Sequence, residues 1–400
     1  MTTDLIPDAC VAALRTPVIW FMALAAALGT ATIYPLQPAI ADVAGGLHGS
    51  LAAVGVGLAC GPFGYLIGLA LLVPFVDRFA PKHVVATQFG ALAVALALNA
   101  AVGTPWLLGL VVGVVGAGSS VGAQLSSVAG RFAAPRRRAT VLGIVTAGIS
   151  AGILLGRILG GWLTDEIGWR AMLLAWAVAC AIMAVSAYLL LPAAAGTVTE
   201  GYLSSLCRRP GLYVRFPALR LAAIRGSLWF FAFCAVWAGL PVALSQPPFS
   251  YSAERIGIYA LAGILGIAAT RIAGAWTDRV GARTVVLVGL VVALTSTAAL
   301  AAWLSNCAVA FICLGLFDAG LFAAQVANQS TVLAIDPIAP AQFNSAYMFV
   351  YFIGGSIGTA FGAAAVGWFG WPLTTAVTGI AIAVAMLITA TARRNTTRLG

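Results

Sequence analysis

Apolar residues fill this chain in long unbroken blocks, with polar positions gathered between them. Twelve blocks reach about 20 residues or more: 18–40, 51–75, 84–103, 106–129, 140–163, 171–191, 221–244, 256–276, 284–304, 308–333, 343–368 and 373–392. Crossing a hydrocarbon core of about 30 Å takes roughly 20 apolar residues in a helix, so each block predicts one membrane span. Barrel strands alternate in and out over about ten residues, and these blocks do not. Only 192–220 is long enough to act as a linker, and it divides the blocks six and six. The predicted fold class is an all-α membrane protein with twelve transmembrane helices. It has an N-terminal six-helix bundle (1–191), a central linker (192–220) and a C-terminal six-helix bundle (221–400). The first block contains "MALAAALG", which offers small residues for signal-peptide cleavage. It runs on through "TATIYPLQPAI" and is preceded by Asp4 and Asp8, so a retained first span is expected.

Composition agrees with the pattern. The chain is 62% hydrophobic and 8% charged, against about 25% charged in a soluble domain, too little polar surface to cover a water-soluble globule. The net charge of +10 is explained by placement rather than by a nucleic-acid partner. Arg15, Arg78, Lys82, Arg131, Arg136, Arg137, Arg138, Arg208, Arg209, Arg215, Arg220, Arg225, Arg279, Arg283, Arg393, Arg394 and Arg398 fall on one side of the predicted membrane. Only Arg170 and Arg255 fall on the other, and Arg157 and Arg271 lie inside spans. The positive-inside rule then predicts a multi-pass protein of the cell (inner) membrane with both termini and the central linker cytoplasmic. The seven cysteines are scattered without a CxxC pair, and only Cys307 reaches an outer loop, so no disulfide is expected. His48 and His83 sit at span ends and suggest no metal site. No nucleophile–base pair, phosphate loop or soluble catalytic domain is visible, so an enzyme is not expected.

The chain repeats itself. "DRFAPKHVV" from Asp77 returns as "DRVGARTVV" from Asp278, 201 residues later. An offset of 202 lays Gly152, Gly156 and Gly160 on Gly354, Gly358 and Gly362, and Gly168–Trp169 on Gly370–Trp371. Gln124 matches Gln325 at 201, and Pro38 matches Pro241 at 203. Six spans per copy give both copies the same orientation, so the halves are expected to be parallel repeats about an axis along the membrane normal. Transporters built this way bind substrate near the midplane between repeats.

On these features the chain resembles the major facilitator superfamily over essentially its whole length. The loop signature after span 2, G-x-L-a-D-R-x-G-R-K, stands here as "VPFVDRFAPK". Asp77, Arg78 and Lys82 match it; Val73, Ala80 and Pro81 depart from it. The copy after span 8, "GAWTDRVGAR", keeps Gly274, Asp278, Arg279, Gly281 and Arg283. The span-5 signature of the family's exporters, G-x8-G-x3-G-P-x2-G-G, is met by Gly143, Gly152, Gly156, Gly160 and Gly161, with Arg157 in place of the proline. A further family feature, a basic residue in span 4, is absent where Val112 stands. The resemblance implies a drug- or metabolite:proton antiporter whose cavity is lined by spans 1, 4, 7 and 10. It also implies that Asp77, Arg78, Asp278, Arg279 and Arg283 form a cytoplasmic gate, latched when the protein faces outward.

Charges inside spans are the strongest functional candidates. A charge at a helix centre costs about 2.5–3.5 kcal/mol on insertion scales and needs a partner, water or a role. Asp318 lies about ten residues into span 10, with Phe322, Gln325 and Gln329 following at i+4, i+7 and i+11 on one stripe. It is the expected proton-coupling group, or else half of a buried ion pair with Arg271. Arg157 either snorkels to the outer interface or lines the cavity and attracts an anionic group. Arg271 either reaches Asp318 or snorkels inward. Gly152, Gly156, Gly160, Gly354, Gly358 and Gly362 recur every four residues and predict close helix packing, with a sliding contact between the halves as the functional alternative. Gln124 and Gln325 are expected to face each other across the repeat axis. Asn328, Asn344, Tyr347, Tyr351, Tyr34 and Trp237 extend the lining, and Pro35, Pro38 and Pro241 are expected to kink spans 1 and 7.

The expected function is secondary active transport: proton-coupled export of a small apolar or aromatic drug or metabolite by alternating access. The alternative is an importer or facilitator of a small polar metabolite on the same fold. The expected partners are a small-molecule substrate and the lipid bilayer, with no nucleic acid and no cofactor. The proton gradient is the expected energy source and a monomer the working unit, because one chain holds a whole cavity.

Overall fold

Prolines and small polar residues begin the helices where the apolar blocks begin. Pro81, Pro105 and Pro217 occupy first-turn positions, where the missing N–H costs nothing. Ser50 caps span 2 by accepting from the Ala53 N–H, and Asn306 caps span 10 by accepting from Ala308 and Val309. The computed structural model describes residues 15–134, 137–194, 210–336 and 340–392. Asp4, Asp8, Cys10, Arg136, Cys207, Arg208, Arg209, Arg393, Arg394, Arg398 and both chain ends lie outside the described residues.

Among the described residues there is no strand, and ten helices are long and apolar enough to cross a membrane. One of these, Gln342–Thr391, holds both span 11 and span 12, which turn at Gly370 with φ 79°. With the shorter Thr16–Ala31, all twelve apolar blocks are accounted for. Gly168, at φ 80°, makes the turn between spans 5 and 6, so the repeated Gly–Trp pair marks the same left-handed corner in both halves. Span 7 starts at Pro217, four residues before the expected boundary, and a short helix, Pro210–Arg215, precedes it inside the 192–220 stretch.

Three spans are interrupted. Span 1 stops at Ala31, turns through residues 32–39 across Pro35 and Pro38, and resumes as Ile40–Gly46. Span 4 is Pro105–Gly118 followed by Val121–Phe132. Span 8 is Ala253–Ile258, a 3-10 turn, then Gly263–Val280. Pro241, in contrast, lies within a helix that continues to Ser245.

The glycine stripes pack helices inside each half. A β-carbon on Gly152 would lie 2.2 Å from the Ala27 carbonyl oxygen of span 1, and one on Gly156 2.5 Å from that of Ala31; on Gly160 it would run into the Pro35 backbone. Gly354, Gly358 and Gly362 meet Ser227, Phe231 and Ala235 of span 7 in the same way. The expected alternative, a contact between the halves, is therefore corrected: the stripes seat span 5 on span 1 and span 11 on span 7.

The halves meet at the face where span 5 ends and span 8 begins. There, β-carbons on Gly55, Gly161 and Gly257 would strike Ala363, the Ala253 carbonyl and the Arg157 carbonyl of the opposite half. At the other face the halves part around a cavity of about 350 Å³. Leu66, Leu69, Ala70 and Val73 of span 2 and Ser127 of span 4 line one side, and Asn344, Ser345, Met348 and Phe349 of span 11 the other. The molecule is thus sealed at one face and open at the opposite one.

Candidate functional site

The break in span 1 carries Tyr34 and Gln37, and both lie against Arg157 of span 5. Arg157 is 6% exposed. Its Nε donates to Gln37 Oε1 at 2.9 Å, and its guanidinium lies 4.5 Å from the Tyr34 ring centre and 4.7 Å from that of Trp237. Tyr34 and Trp237 are repeat-related positions, so one cation is held between the matching aromatics of the two halves. Cation–π contacts of this kind contribute about 0.5–2 kcal/mol each when desolvated. They give the lone arginine a partner without a carboxylate.

Trp237 also faces the other way. Its indole N–H donates to Asp318 Oδ1 at 2.9 Å, and Asp318 is 2% exposed. Gly263 and Gly266 of span 8 make room for that side chain: β-carbons there would come within 3.3 Å of Asp318 Oδ2 and 3.0 Å of Asp318 Cβ. The result is a relay from Gln37 through Arg157 and Trp237 to Asp318, crossing from one half to the other. Arg271 takes no part in it. It lies five residues beyond Gly266, about 140° round the helix, and is exposed, so neither the expected contact nor the ion pair with Asp318 forms.

A second polar cluster lies about 15 Å along span 10, ten residues after Asp318. Arg225 Nε donates to Asn328 Oδ1 at 2.6 Å. The Asn328 amide donates to the Ala222 carbonyl at 3.0 Å and to the Tyr347 hydroxyl at 3.1 Å. Tyr347 in turn donates to Gln325 Oε1. Gln329 donates to Asn344 at 2.8 Å, and Asn344 lines the open cavity. Gln124 does not face Gln325 as expected. It donates to the Leu72 carbonyl at 2.8 Å inside its own half, and its Oε1 is buried without a partner. Each glutamine is turned aside by a closer partner in its own half.

Aromatic rings join the two clusters. Tyr347 neighbours Tyr351 (5.7 Å between ring centres), Tyr351 stacks on Phe230 (3.9 Å), Phe230 on Phe233 (5.8 Å), and Phe233 reaches both Phe322 (5.5 Å) and Trp237 (6.4 Å). Phe230 and Phe233 were not singled out in the sequence, because their block is aromatic on several faces.

The sealed face carries one further contact. Asp165, at the end of span 5, accepts from the Ala253 and Glu254 N–H groups at 3.2 and 3.0 Å. It caps the first turn of span 8 from the other half, where a helix N-terminus favours negative charge. Gln37, Asp165 and Arg225 are the polar residues the sequence reading missed.

The expected gate residues lie at the open face. Asp278 and Arg279 are exposed. Arg283 donates to the Ala392 carbonyl at 3.3 Å and to that of Ala390, holding the end of span 12. Asp77 and Arg78 end the short turn after span 2, close to Arg131, whose Nη1 donates to the Val76 carbonyl at 3.1 Å. Among the described residues, no hydrogen bond joins Asp77, Asp278, Arg279 or Arg283 to the opposite half at this open face. A larger groove, about 630 Å³, opens between spans 2, 3 and 4 and is lined by Phe79, Val84, Leu92 and Val114. It lies within one half beside the turn that carries Asp77 and Arg78, and none of Arg157, Asp318 and Arg225 lines it.

The sequence profile of the Major Facilitator Superfamily matches residues 19–337. An uncharacterized transporter, YgaY, of Escherichia coli O157:H7 is 29% identical over 360 residues, covering 90% of this chain and 91% of that protein. A Streptomyces coelicolor protein named as a probable transporter is 30% identical over 376 residues, covering 93% and 86%. Among solved structures, a bacterial homolog of the human lysosomal transporter Spinster, inward-facing and unoccupied, superposes with a TM-score of 0.76 at 15% identity, covering 94% of this chain and 97% of that one. The nucleoside transporter NupG gives 0.77 at 13% identity, covering 93% and 99%.

Proposed function

The chain belongs to the major facilitator superfamily and is a multi-pass membrane transporter rather than an enzyme; from that premise we propose that it exports a small apolar or aromatic molecule from the cytoplasm in exchange for protons. The observation that carries this reading is Asp318. It is the one acidic side chain buried within a span among the described residues, and it sits where span 7 of one half meets Arg157 of the other. A carboxylate there can hold a proton in one state and release it in the next, while Arg157 stays charged. The two six-helix halves, 1–191 and 221–400, rock about the seam between them, with 192–220 as the cytoplasmic connection.

The open face is the cytoplasmic one in this reading, because the basic residues crowd there. The state described is then inward-facing, which agrees with the conformation of the Spinster homolog. Protons entering from outside neutralise Asp318 and release substrate; after the return they leave to the cytoplasm. The efflux-type span-5 signature supports the outward direction.

In inverted membrane vesicles, uptake of a radiolabelled aromatic drug should collapse with a protonophore. It should fall about 10²-fold in Asp318→Asn, the scale expected for loss of a positioned proton-transfer group. Undiminished transport by Asp318→Asn sinks the role given to it. A second reading, import or facilitation of a small polar metabolite, is favoured by the neutral network of Gln325, Tyr347 and Asn328. Transport that persists without a proton gradient supports that reading instead.

A further inference from the structure

Arg225 is a cation inside span 7 whose hydrogen bonds are only partly used. A guanidinium offers five N–H donors in a planar fork. Here Nε is committed to Asn328, and the Nη groups have no protein partner among the described residues. The side chain is half-buried, and it is held in place from behind. Asn328, fully buried, is fixed by the Ala222 carbonyl and by Tyr347, and Tyr347 by Gln325. Three side chains on two neighbouring spans, with the Ala222 carbonyl, therefore fix the direction of one charged fork. Among the described residues no acidic side chain answers it: the buried acid of the spans, Asp318, lies about 15 Å further along and accepts from Trp237.

Arg157 repeats the situation at the sealed end. Its partners are a neutral amide, two aromatic faces and a long contact of 3.5 Å to the Ile153 carbonyl. A path bordered by two guanidiniums and one carboxylate carries net positive charge when Asp318 is ionised, and more when it is protonated. Two cations in the spans with a single carboxylate between them are short of counter-charge, which is costly there. The cost is relieved when a transported anion supplies the counter-charge. Between the two arginines runs the ring series Tyr347, Tyr351, Phe230, Phe233 and Trp237, closed round only a small space in this state; parted, it is an aromatic wall suited to a flat apolar body.

We propose that Arg225 is the anion-recognising group at the open end of the path, and that the transported species is a planar organic monoanion, its charged group on the Arg225 fork and its flat body on the aromatic wall. This rests on the transporter reading above and names the substrate class for that site. A carboxylate meets the fork through two parallel N–H···O bonds, which neither an amide nor an ammonium group reproduces. Export also moves the anion out and a proton in, so an inside-negative potential drives both steps.

The test is calorimetric titration of the full-length protein with three matched probes: 2-naphthoate, 2-naphthamide and 2-naphthylmethylammonium. The naphthoate should bind at least tenfold more tightly than the amide, and the ammonium most weakly. Arg225→Gln should erase the preference while leaving the amide affinity in place; Arg225→Lys should restore part of it, since it returns the charge without the fork. Equal or tighter binding of the amide or the ammonium overturns the proposal. So do a naphthoate that does not bind, and an Arg225→Gln variant that weakens all three probes alike, which would mark a structural anchor. Coupling is read separately from the effect of a protonophore on Asp318-dependent vesicle transport. A failed anion preference with intact coupling removes only this inference, whereas intact preference with no coupling removes only the proton exchange.

Discussion

Glycine seams of two kinds run through the molecule, and they join different things. The seam of Gly152, Gly156 and Gly160 seats span 5 on span 1 inside one half; the seam of Gly161 and Gly257 presses span 5 against span 8 of the other half. Both bring backbones so close that a β-carbon would sit 2.2–2.7 Å from a carbonyl oxygen. The difference lies in what surrounds them. The inner seam is backbed by apolar side chains such as Met22, Ala25 and Ala26. The seam between the halves is ringed by polar contacts that can be made and broken: Asp165 on the Ala253 and Glu254 N–H groups, and Arg157 on Trp237. Glycine at one helical spacing thus builds a rigid unit in one place and a releasable seal one residue further on.

Gly152→Val attacks the inner seam and carries the larger expected effect. The better helix propensity of a non-glycine residue returns at most about 1 kcal/mol, while spans 1 and 5 must move apart. Overpacking of this sort costs about 1–3 kcal/mol, and the valine branches raise it toward the upper figure. Equilibrium unfolding in mixed micelles should report that loss of stability. An unchanged unfolding midpoint would show that the two spans are not held by this contact.

Gly161→Val places the same side chain on the seal. Its β-carbon would lie 2.2 Å from the Ala253 carbonyl oxygen, so the sealed arrangement is disfavoured by a similar ~1–3 kcal/mol. Opening that face relieves the clash, and the fold itself keeps its stability. Spin labels at Gly45 and Trp303, on the sealed face of opposite halves and in a background without native cysteines, should therefore shift to longer distances. Equal destabilisation by Gly152→Val and Gly161→Val in the unfolding experiment would erase the distinction between the seams.

Much of this could be read from the residues before the fold was known, and the part that could not has a common cause. Span number, the repeat, the glycine spacing and the charges Arg157 and Asp318 follow from composition and periodicity. Which way each helix is turned does not. In a bilayer the lipid-facing side is as apolar as the packed side, so pattern alone did not show that Arg271 points away from Asp318 or that Gln124 turns to Leu72. Gln37 was hidden because its side chain reaches Arg157 only through the break after Ala31. Arg225 was grouped with the basic residues of the mouth, since one position along a span decides between anchor and binding group. Asp165 acquires its role only because span 8 of the other half starts against it.

The smallest expected effect is on pH, and it sharpens the account of the seal. Asp42 follows the break in span 1 and lies outside the long spans. Although its side chain is exposed, crowding by neighbouring groups desolvates it and raises its pKa above 3.8; its own backbone contact opposes this, and the Asp165 charge adds to the rise. If opening this face returns Asp42 to water, the sealed arrangement holds its proton the more tightly. The contribution to sealing is fully present below the ordinary carboxylate pKa and is lost as pH rises through the raised value. Acidification within that window should shorten the Gly45–Trp303 label distances, and Asp42→Asn should remove the response. The response should weaken with added salt, because exposed carboxylates interact through screened solvent. A distance that lengthens on acidification would overturn the role given to Asp42 in the seal.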